Sequence, residues 1–398
     1  MQRPPAAQTA ATRAVWSGAA PARGSGTGFV FGVIGIVIGA ALLLLVIAYF
    51  TASFGAGAVV ISALVALLPL LGVLFAVRWI DRWEPEPRFA LAFALLWGAG
   101  VAVAIALLVD LFVQITLAIG CGGTSEASEA LSVTGGIGDA YDFVSAVIQA
   151  PIVEEGGKGL GLLLIFFVAR KYFDGPVDGI AYAAIVAGGF AFTENILYFG
   201  GQLGAGEGVV EIFVLRGLMS PFAHVMFTAC TGIALGIAAR RAGTLGSIGI
   251  FFLGLIPAIL LHALWNGALF IVSDFYVYYA LVQFPLFLGF VGLVVWLRKR
   301  ETALTKTRLE EYARVGWFAE GEVISLATGR GRRQARQWAA QRGLGEVMKK
   351  YTKDATRLAF TRQRLISRRA TEGAQAEESA LLASIVAGRA LLQGAPQR

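Results

Sequence analysis

Residues 29–50 read FVFGVIGIVIGAALLLLVIAYF, a run without a single charged side chain. At 1.5 Å of rise per residue, a helix of that length crosses the ~30 Å of hydrocarbon in a bilayer. Comparable runs follow near 57–77, 89–118, 142–169, 178–199, 209–239, 246–272 and 275–297. The chain of 398 residues is 57% hydrophobic and 15% charged, whereas soluble domains carry roughly 25% charged residues. These features predict an all-α membrane protein with about eight transmembrane helices.

The connections predict its orientation. Arg3, Arg13 and Arg23 precede the first span, and Arg78, Arg82 and Arg88 lie between the second and third. Arg170 and Lys171 join spans four and five, Arg240 and Arg241 join six and seven, and Arg298-Lys299-Arg300 follow the eighth. The alternate connections, 51–56, 119–141, 200–208 and 273–274, contain no Lys or Arg. By the positive-inside rule both termini are cytoplasmic, in a multi-pass protein of the cell membrane. Residues 1–28, rich in Ala, Gly, Pro and Arg, read as a disordered cytoplasmic tail, and 29–297 as the eight-helix transmembrane domain. Residues 298–398 read as a basic, helical cytoplasmic tail.

That tail holds 21 basic and 10 acidic residues. Leu309, Tyr312, Ala313 and Trp317 repeat at helical spacing, which predicts two or three amphipathic helices lying on the membrane face or the transmembrane body. Its charge predicts contact with anionic lipid. No nucleic-acid motif is present, so no nucleic-acid partner is expected. Cys121 falls in a connection and Cys230 in a span, so neither a disulfide nor a cysteine metal site is predicted.

The apolar runs are interrupted by ionisable groups, each costing roughly 2.5–3.5 kcal/mol at the centre of a membrane helix on insertion scales. The only two histidines, His224 and His262, lie in spans six and seven. Span four carries Glu154-Glu155-Gly156-Gly157-Lys158, and span five carries Glu194-Asn195. On a helix Glu154 and Glu155 point about 100° apart, and Lys158 reaches either of them. A lysine neighbour keeps one carboxylate ionised, while low dielectric makes the other a better proton acceptor. Arg216 accompanies His224 on span six, and Asn266 lies one turn beyond His262. An ion pair joining two spans, or an interfacial polar cap at Glu194, are the structural alternatives.

No serine or cysteine lies beside a base, and Asp110 has no second Asp of similar context, so serine, cysteine and aspartyl-dyad hydrolysis are disfavoured. What remains is hydrolysis by a water that Glu154 or Glu155 deprotonates. A His and an Asn amide stabilise the oxyanion, and Glu194 and His224 assist. Glu155, His224 and His262 would also make a ligand set for a divalent metal such as zinc, although His-Glu-x-x-His is absent.

At these positions the chain resembles the PrsW family of intramembrane proteases, related to the CAAX-prenyl-protease and bacteriocin-processing superfamily. The resemblance rests on Glu154-Glu155-x-x-Lys158, on Phe190-x-x-x-Glu194-Asn195 and on His262-x-x-x-Asn266. The loop Asp81-Arg82-Trp83-Glu84-Pro85-Glu86-Pro87 adds to it. The resemblance implies a glutamate-dependent endopeptidase acting on a single-span membrane protein, with site-1 cleavage of an anti-sigma factor as the activity that names the family. The last motif commonly ends in Asp, and Asn266 departs from it toward the prenyl-protease branch. An amide cannot act as a base, so Asn266 is expected to donate to an oxyanion. A prenyl-protease-like enzyme, a proton-coupled transporter and a non-enzymatic scaffold are the alternatives.

Overall fold

The computed structural model describes residues 26–83, 85–120, 137–241, 243–366 and 373–394. The predicted N-terminal tail lies outside them up to Ser25, as does Cys121. The described residues are helical, with no strand among them. Helices α1 (Gly26–Phe54) and α2 (Ala56–Ile80) are continuous, as are α5 (Pro176–Gly204) and α7 (Thr244–Ile271). Four others carry one π-helical turn each. In α3 (Arg88–Leu96, Val103–Gly120) that turn is Trp97–Ala102, and in α4 (Ile137–Val144, Ala150–Val168) it is Ser145–Gln149. In α6 (Val210–Phe213, Pro221–Arg241) it is Val214–Met219, and in α8 (Phe275–Tyr278, Phe284–Arg314) it is Tyr279–Gln283.

Seven of these helices are long and apolar enough to cross a membrane. The eighth, α4, has the length but also carries Glu154, Glu155 and Lys158, which lower its apolar content. The chain is thus a multi-pass membrane protein of about eight helices.

Two compact units divide the chain: Thr27–Asp81 with Glu86–Leu293, and Val294–Arg398 with Arg82–Pro85. In the first, α5 is the central helix, flanked by α2, α3 and α6. It starts where Asp178 accepts hydrogen bonds from the amides of Asp174 (2.7 Å) and Gly175 (2.8 Å). A carboxylate in the first turn suits the orphan amides and positive end of a helix. Helices in lipid gain little from apolar burial against each other, so close backbone approach matters more. Two Gly-x-x-x-Gly pairs provide it here, Gly175/Gly179 on α5 against Gly232/Gly236 on α6. A methyl group on Gly232 would stand 2.2 Å from the Gly179 carbonyl oxygen, and one on Gly236 would stand 2.4 Å from that of Gly175. Arg170 and Arg240 stitch the same end, donating to the carbonyls of Ala239 (2.8 Å) and Asp174 (2.7 Å).

In two of the π-helical turns a carbonyl is taken up by a side chain of another helix. In α4 the Ala150 amide bonds to the Ser145 carbonyl, which skips Ala146. The next residue able to reach Ala146 O is Pro151, which has no N–H. The orphaned carbonyl is taken instead by Asn266 of α7, whose Nδ2 donates to it at 2.7 Å. Ala99 O, in the π-helical turn of α3, likewise accepts from Thr193 Oγ1 of α5 at 2.9 Å. The helical run of α6 is interrupted at Ser220, just before Pro221, which has no N–H to continue it.

Where α2 ends, Asp81 Oδ2 accepts the Glu86 amide at 2.8 Å, and Glu86 Oε2 accepts the Tyr182 hydroxyl at 2.6 Å. All three side chains are buried. The second unit contains the end of α8 followed by α9 (Glu320–Ala327), α10 (Gly329–Ala340), α11 (Gly345–Ile366) and α12 (Ala374–Gln393). The expected two or three amphipathic helices on a surface are four helices enclosing their own core. Leu309, Tyr312, Trp317, Leu326, Leu358 and Ile385 meet within it. Arg389 ties α12 to Glu322 of α9 at 2.8 Å.

Two outcomes follow from these local contacts. Replacing Asn266 by Ala leaves the half-buried Ala146 carbonyl without this donor, which costs about 1 kcal/mol, the low end of the range for an unmet buried acceptor. Thermal unfolding in detergent should fall accordingly, and an unchanged midpoint would remove Asn266 from this role. Burial pushes the Asp81 pKa from 3.8 to about 7, against the opposing effect of the Glu86 amide. Between those values folded Asp81 holds its proton more than the unfolded chain does, so its contribution to stability is fullest below 3.8 and is lost as pH rises to about 7. Asp81→Asn keeps an acceptor oxygen and loses the charge. Its midpoint should gain on wild type between about pH 5 and about pH 8; parallel pH profiles would exclude Asp81 as the cause.

Candidate active site

Lys158 has no exposed surface, and its ammonium must be answered within the bundle. Its Nζ lies 2.6 Å from Glu155 Oε1, 3.4 Å from Glu154 Oε2 and 3.1 Å from His224 Nδ1, and 4.1 Å above the Phe190 ring. Helix α4 supplies both carboxylates and the cation, as the i, i+3 and i, i+4 spacings require. Its glycines let the neighbours close in. Trp97 of α3 seats over Gly161, where a methyl group would stand 2.3 Å from the ring, and donates Nε1 to Gly157 O at 2.9 Å. Gly159 faces Phe251 of α7, while a methyl group on Gly156 would meet nothing within 4 Å.

Glu155 is fully committed. Oε2 accepts from Thr228 Oγ1 at 2.8 Å, and Oε1 contacts both Lys158 and His262 Nδ1, the latter at 3.2 Å. With Nδ1 donating to that carboxylate, His262 Nε2 carries a lone pair, 3.8 Å from Glu154 Oε2. The His262 ring stacks on Phe227 and meets the His224 ring edge to face, both at 5.1 Å between centroids. His224 Nε2 lies 3.1 Å from Glu194 Oε2, and Glu194 Oε1 pairs with Arg216 Nη2 at 2.7 Å. Since the Lys158 ammonium donates to Nδ1, the ring proton of His224 sits on Nε2 and faces Glu194. The Arg216 guanidinium lies 3.4 Å over Tyr198.

The structure therefore joins Glu154, Glu155, Lys158, Glu194, Arg216, His224 and His262 in one network drawn from α4, α5, α6 and α7. Two residues from the sequence reading stand apart. Asn195 is buried on α5 but makes none of the polar contacts of this network among the described residues. Asn266 lies one turn from His262, with its amide on Ala146 O. Asp110 is half-buried and accepts from Gln114 Nε2 at 2.8 Å, outside the network. Trp97, Thr193, Phe227 and Tyr198 support the cluster without having been singled out. Their only signal in the sequence is a polar atom or ring within an apolar run, and their partners are remote.

A metal can be tested against the donor chemistry. Glu154, His224 and His262 each offer a ligand atom, and these atoms lie within 4.8 Å of one another. Two imidazoles and a carboxylate form a catalytic ligand set for zinc. Each imidazole also has a carboxylate on its other nitrogen, Glu155 for His262 and Glu194 for His224, the usual outer support of metal-binding histidines. With Nε2 of His224 facing Glu194, a metal would take its Nδ1, which the Lys158 ammonium now contacts at 3.1 Å. The donor set fits a metal once Lys158 withdraws from that nitrogen, with Glu154 rather than the expected Glu155 in it. Glu155 is excluded because Lys158, His262 and Thr228 already occupy both of its oxygens.

Comparison with known proteins places the chain in a family. Residues 86–290 match the family model described as PrsW family intramembrane metalloprotease, a range that contains the whole network. The chain is 29% identical to Protease PrsW of Clostridioides difficile (strain 630) over 208 residues, which is 52% of this chain and 79% of that protein. It is 34% identical to Protease PrsW of Bacillus subtilis (strain 168) over 157 residues, 39% of this chain and 67% of the relative. No solved structure matches. With the family match covering half the chain and every ionisable residue of the buried network, the protein belongs to the PrsW family and is an intramembrane peptidase.

Proposed function

We propose that the chain hydrolyses a peptide bond of a single-span membrane protein with a water molecule that Glu154 deprotonates. The observation that carries this reading is the unequal state of the two adjacent carboxylates. Glu155 has no exposed side-chain surface, whereas the Glu154 side chain retains 11%. Glu154 contacts Lys158 only at 3.4 Å, through Oε2, so its carboxylate keeps the capacity to take a proton. The 3.8 Å from Glu154 Oε2 to His262 Nε2 is too long for a direct hydrogen bond. One water donating to both spans it comfortably.

In this mechanism Glu155 holds His262 in the tautomer that presents Nε2, and Glu194 with Arg216 holds His224. Glu154 takes the proton from water and returns it to the leaving amine. Lys158 balances negative charge as it develops on the carbonyl oxygen, since Asn266 is engaged elsewhere and His262 offers a lone pair. Glu154, His224 and His262 would hold a divalent cation such as zinc, which when bound supplies Lewis-acid polarisation of water and of the scissile carbonyl. The alternation of basic and Lys/Arg-free connections supports cytoplasmic termini. A membrane-bound anti-sigma factor, the substrate that the resemblance implies, is the first to try.

Purified protein in liposomes, presented with single-span substrates, tests the assignment. Glu154→Gln should lower kcat by about 10²–10⁴-fold, the usual effect of removing a general base, without lowering the melting temperature. His262→Ala should act similarly. Cleavage by Glu154→Gln at the wild-type rate would sink the assignment. A chelator that abolishes cleavage, with recovery on adding zinc, would show that the cation takes part.

A further inference from the structure

In the second unit α10 differs from its neighbours. It lies in a stretch, 323–345, that contains five arginines and neither Asp nor Glu. At 100° per residue, Gly331, Arg332, Ala335 and Ala339 share one arc, and all four are buried or half-buried. Arg332 is the inward arginine: its Nε donates to Leu326 O and its Nη2 to Thr356 Oγ1, both at 2.6 Å. The opposite arc presents Arg330, Arg333 and Arg336, with Gln334 and Gln337 between them, and all are exposed. Trp338 borders this arc, 38% exposed, with the Arg342 guanidinium 4.6 Å over its ring.

Other arginines of this unit have found carboxylates. Arg308 and Arg362 pair with Glu311, Arg357 and Arg364 with Glu377, and Arg389 with Glu322. Arg330, Arg333 and Arg336 have no hydrogen-bond or ion-pair partner among the described residues. Three like charges thus occupy one stripe about 9 Å long on a helix, with nothing in the unit to compensate them.

We propose that the outer face of α10 docks on the anionic headgroups of the membrane in which the protein is embedded. The stripe calls for several anions in a row, which a charged lipid surface provides and a single bound phosphate does not. The unit is continuous with the membrane-spanning helix α8, so such a surface is always near, and no diffusional search precedes docking. Trp338 supplies the amphipathic ring that settles at a membrane interface. This surface takes no part in peptide hydrolysis, so the proposal stands independently of the catalytic reading.

The test uses the full chain with Cys121→Ser, Cys230→Ser and Gln334→Cys, spin-labelled at 334. The protein is reconstituted in vesicles of phosphatidylcholine alone or mixed with phosphatidylglycerol. Collision of the label with a water-soluble nickel chelate should fall in the anionic vesicles only, and high salt should restore it. Each basic residue near such a surface is worth roughly fivefold in binding, so Arg330→Gln/Arg333→Gln/Arg336→Gln should weaken docking by roughly 10²-fold and abolish the difference. The corresponding triple lysine variant keeps the charge and should keep the lipid dependence. Equal collision rates in both vesicles would overturn the proposal, as would a lipid effect that survives the glutamine substitutions. Shielding by an RNA oligonucleotide without shielding by lipid would assign the stripe to nucleic acid instead.

Discussion

A lysine ammonium with no path to water is the constraint around which the membrane-embedded unit is arranged. Burying a lone cation in a low-dielectric interior is prohibitive unless an anion lies against it. Lys158 meets that requirement with Glu155 at 2.6 Å, from its own helix, before any tertiary contact forms. The pair then needs further partners, because a carboxylate accepts several hydrogen bonds and an ammonium donates three. Thr228, His262 and His224 fill those places from two other helices. The buried ionisable cluster is therefore also the polar junction of four helices.

Close packing makes that junction reachable. The side chains in question extend only a few ångströms from their backbones, so helices held apart by leucines would leave them out of range. Gly179 against Gly232, and Gly157 with Gly161 beneath Trp97, draw α5 to α6 and α4 to α3. In a membrane, where apolar burial does not distinguish a neighbouring helix from a lipid tail, such contacts supply much of the cohesion. The glycines of α4 thus have distinct tasks: Gly157, Gly159 and Gly161 admit neighbouring helices, and Gly156 leaves space beside Glu155.

Much of this was legible in the sequence because a membrane enforces strong patterns. Eight apolar runs became eight helices, and most of the ionisable residues singled out inside them meet in one buried network. Orientation within the cluster was less accessible. Adjacent glutamates are symmetric in a one-dimensional reading, and only the positions of Thr228 and His262 separate the committed Glu155 from the open Glu154. Asn266 read as a donor to substrate, and it is a donor, but to a carbonyl 120 positions away whose vacancy depends on Pro151. In the second unit, helical spacing of apolar residues showed which faces would be buried. It could not show that those faces bury one another, because that depends on the turns between them.

The π-helical turn at Ser145–Gln149 has one more implication, which concerns helical phase. Such a turn is equivalent to a single residue inserted into an α-helix, and it rotates everything beyond it by about 100° relative to what precedes it. Glu154 and Glu155 differ by that same angle. A chain with the same number of residues but a plain α-helical turn here would therefore, if α4 kept its seat at the N-terminal side, point Glu154 where Glu155 now points. Which of the two carboxylates meets Lys158, His262 and Thr228 most closely is in this sense recorded upstream of both, in the extra residue that the turn between Val144 and Ala150 accommodates.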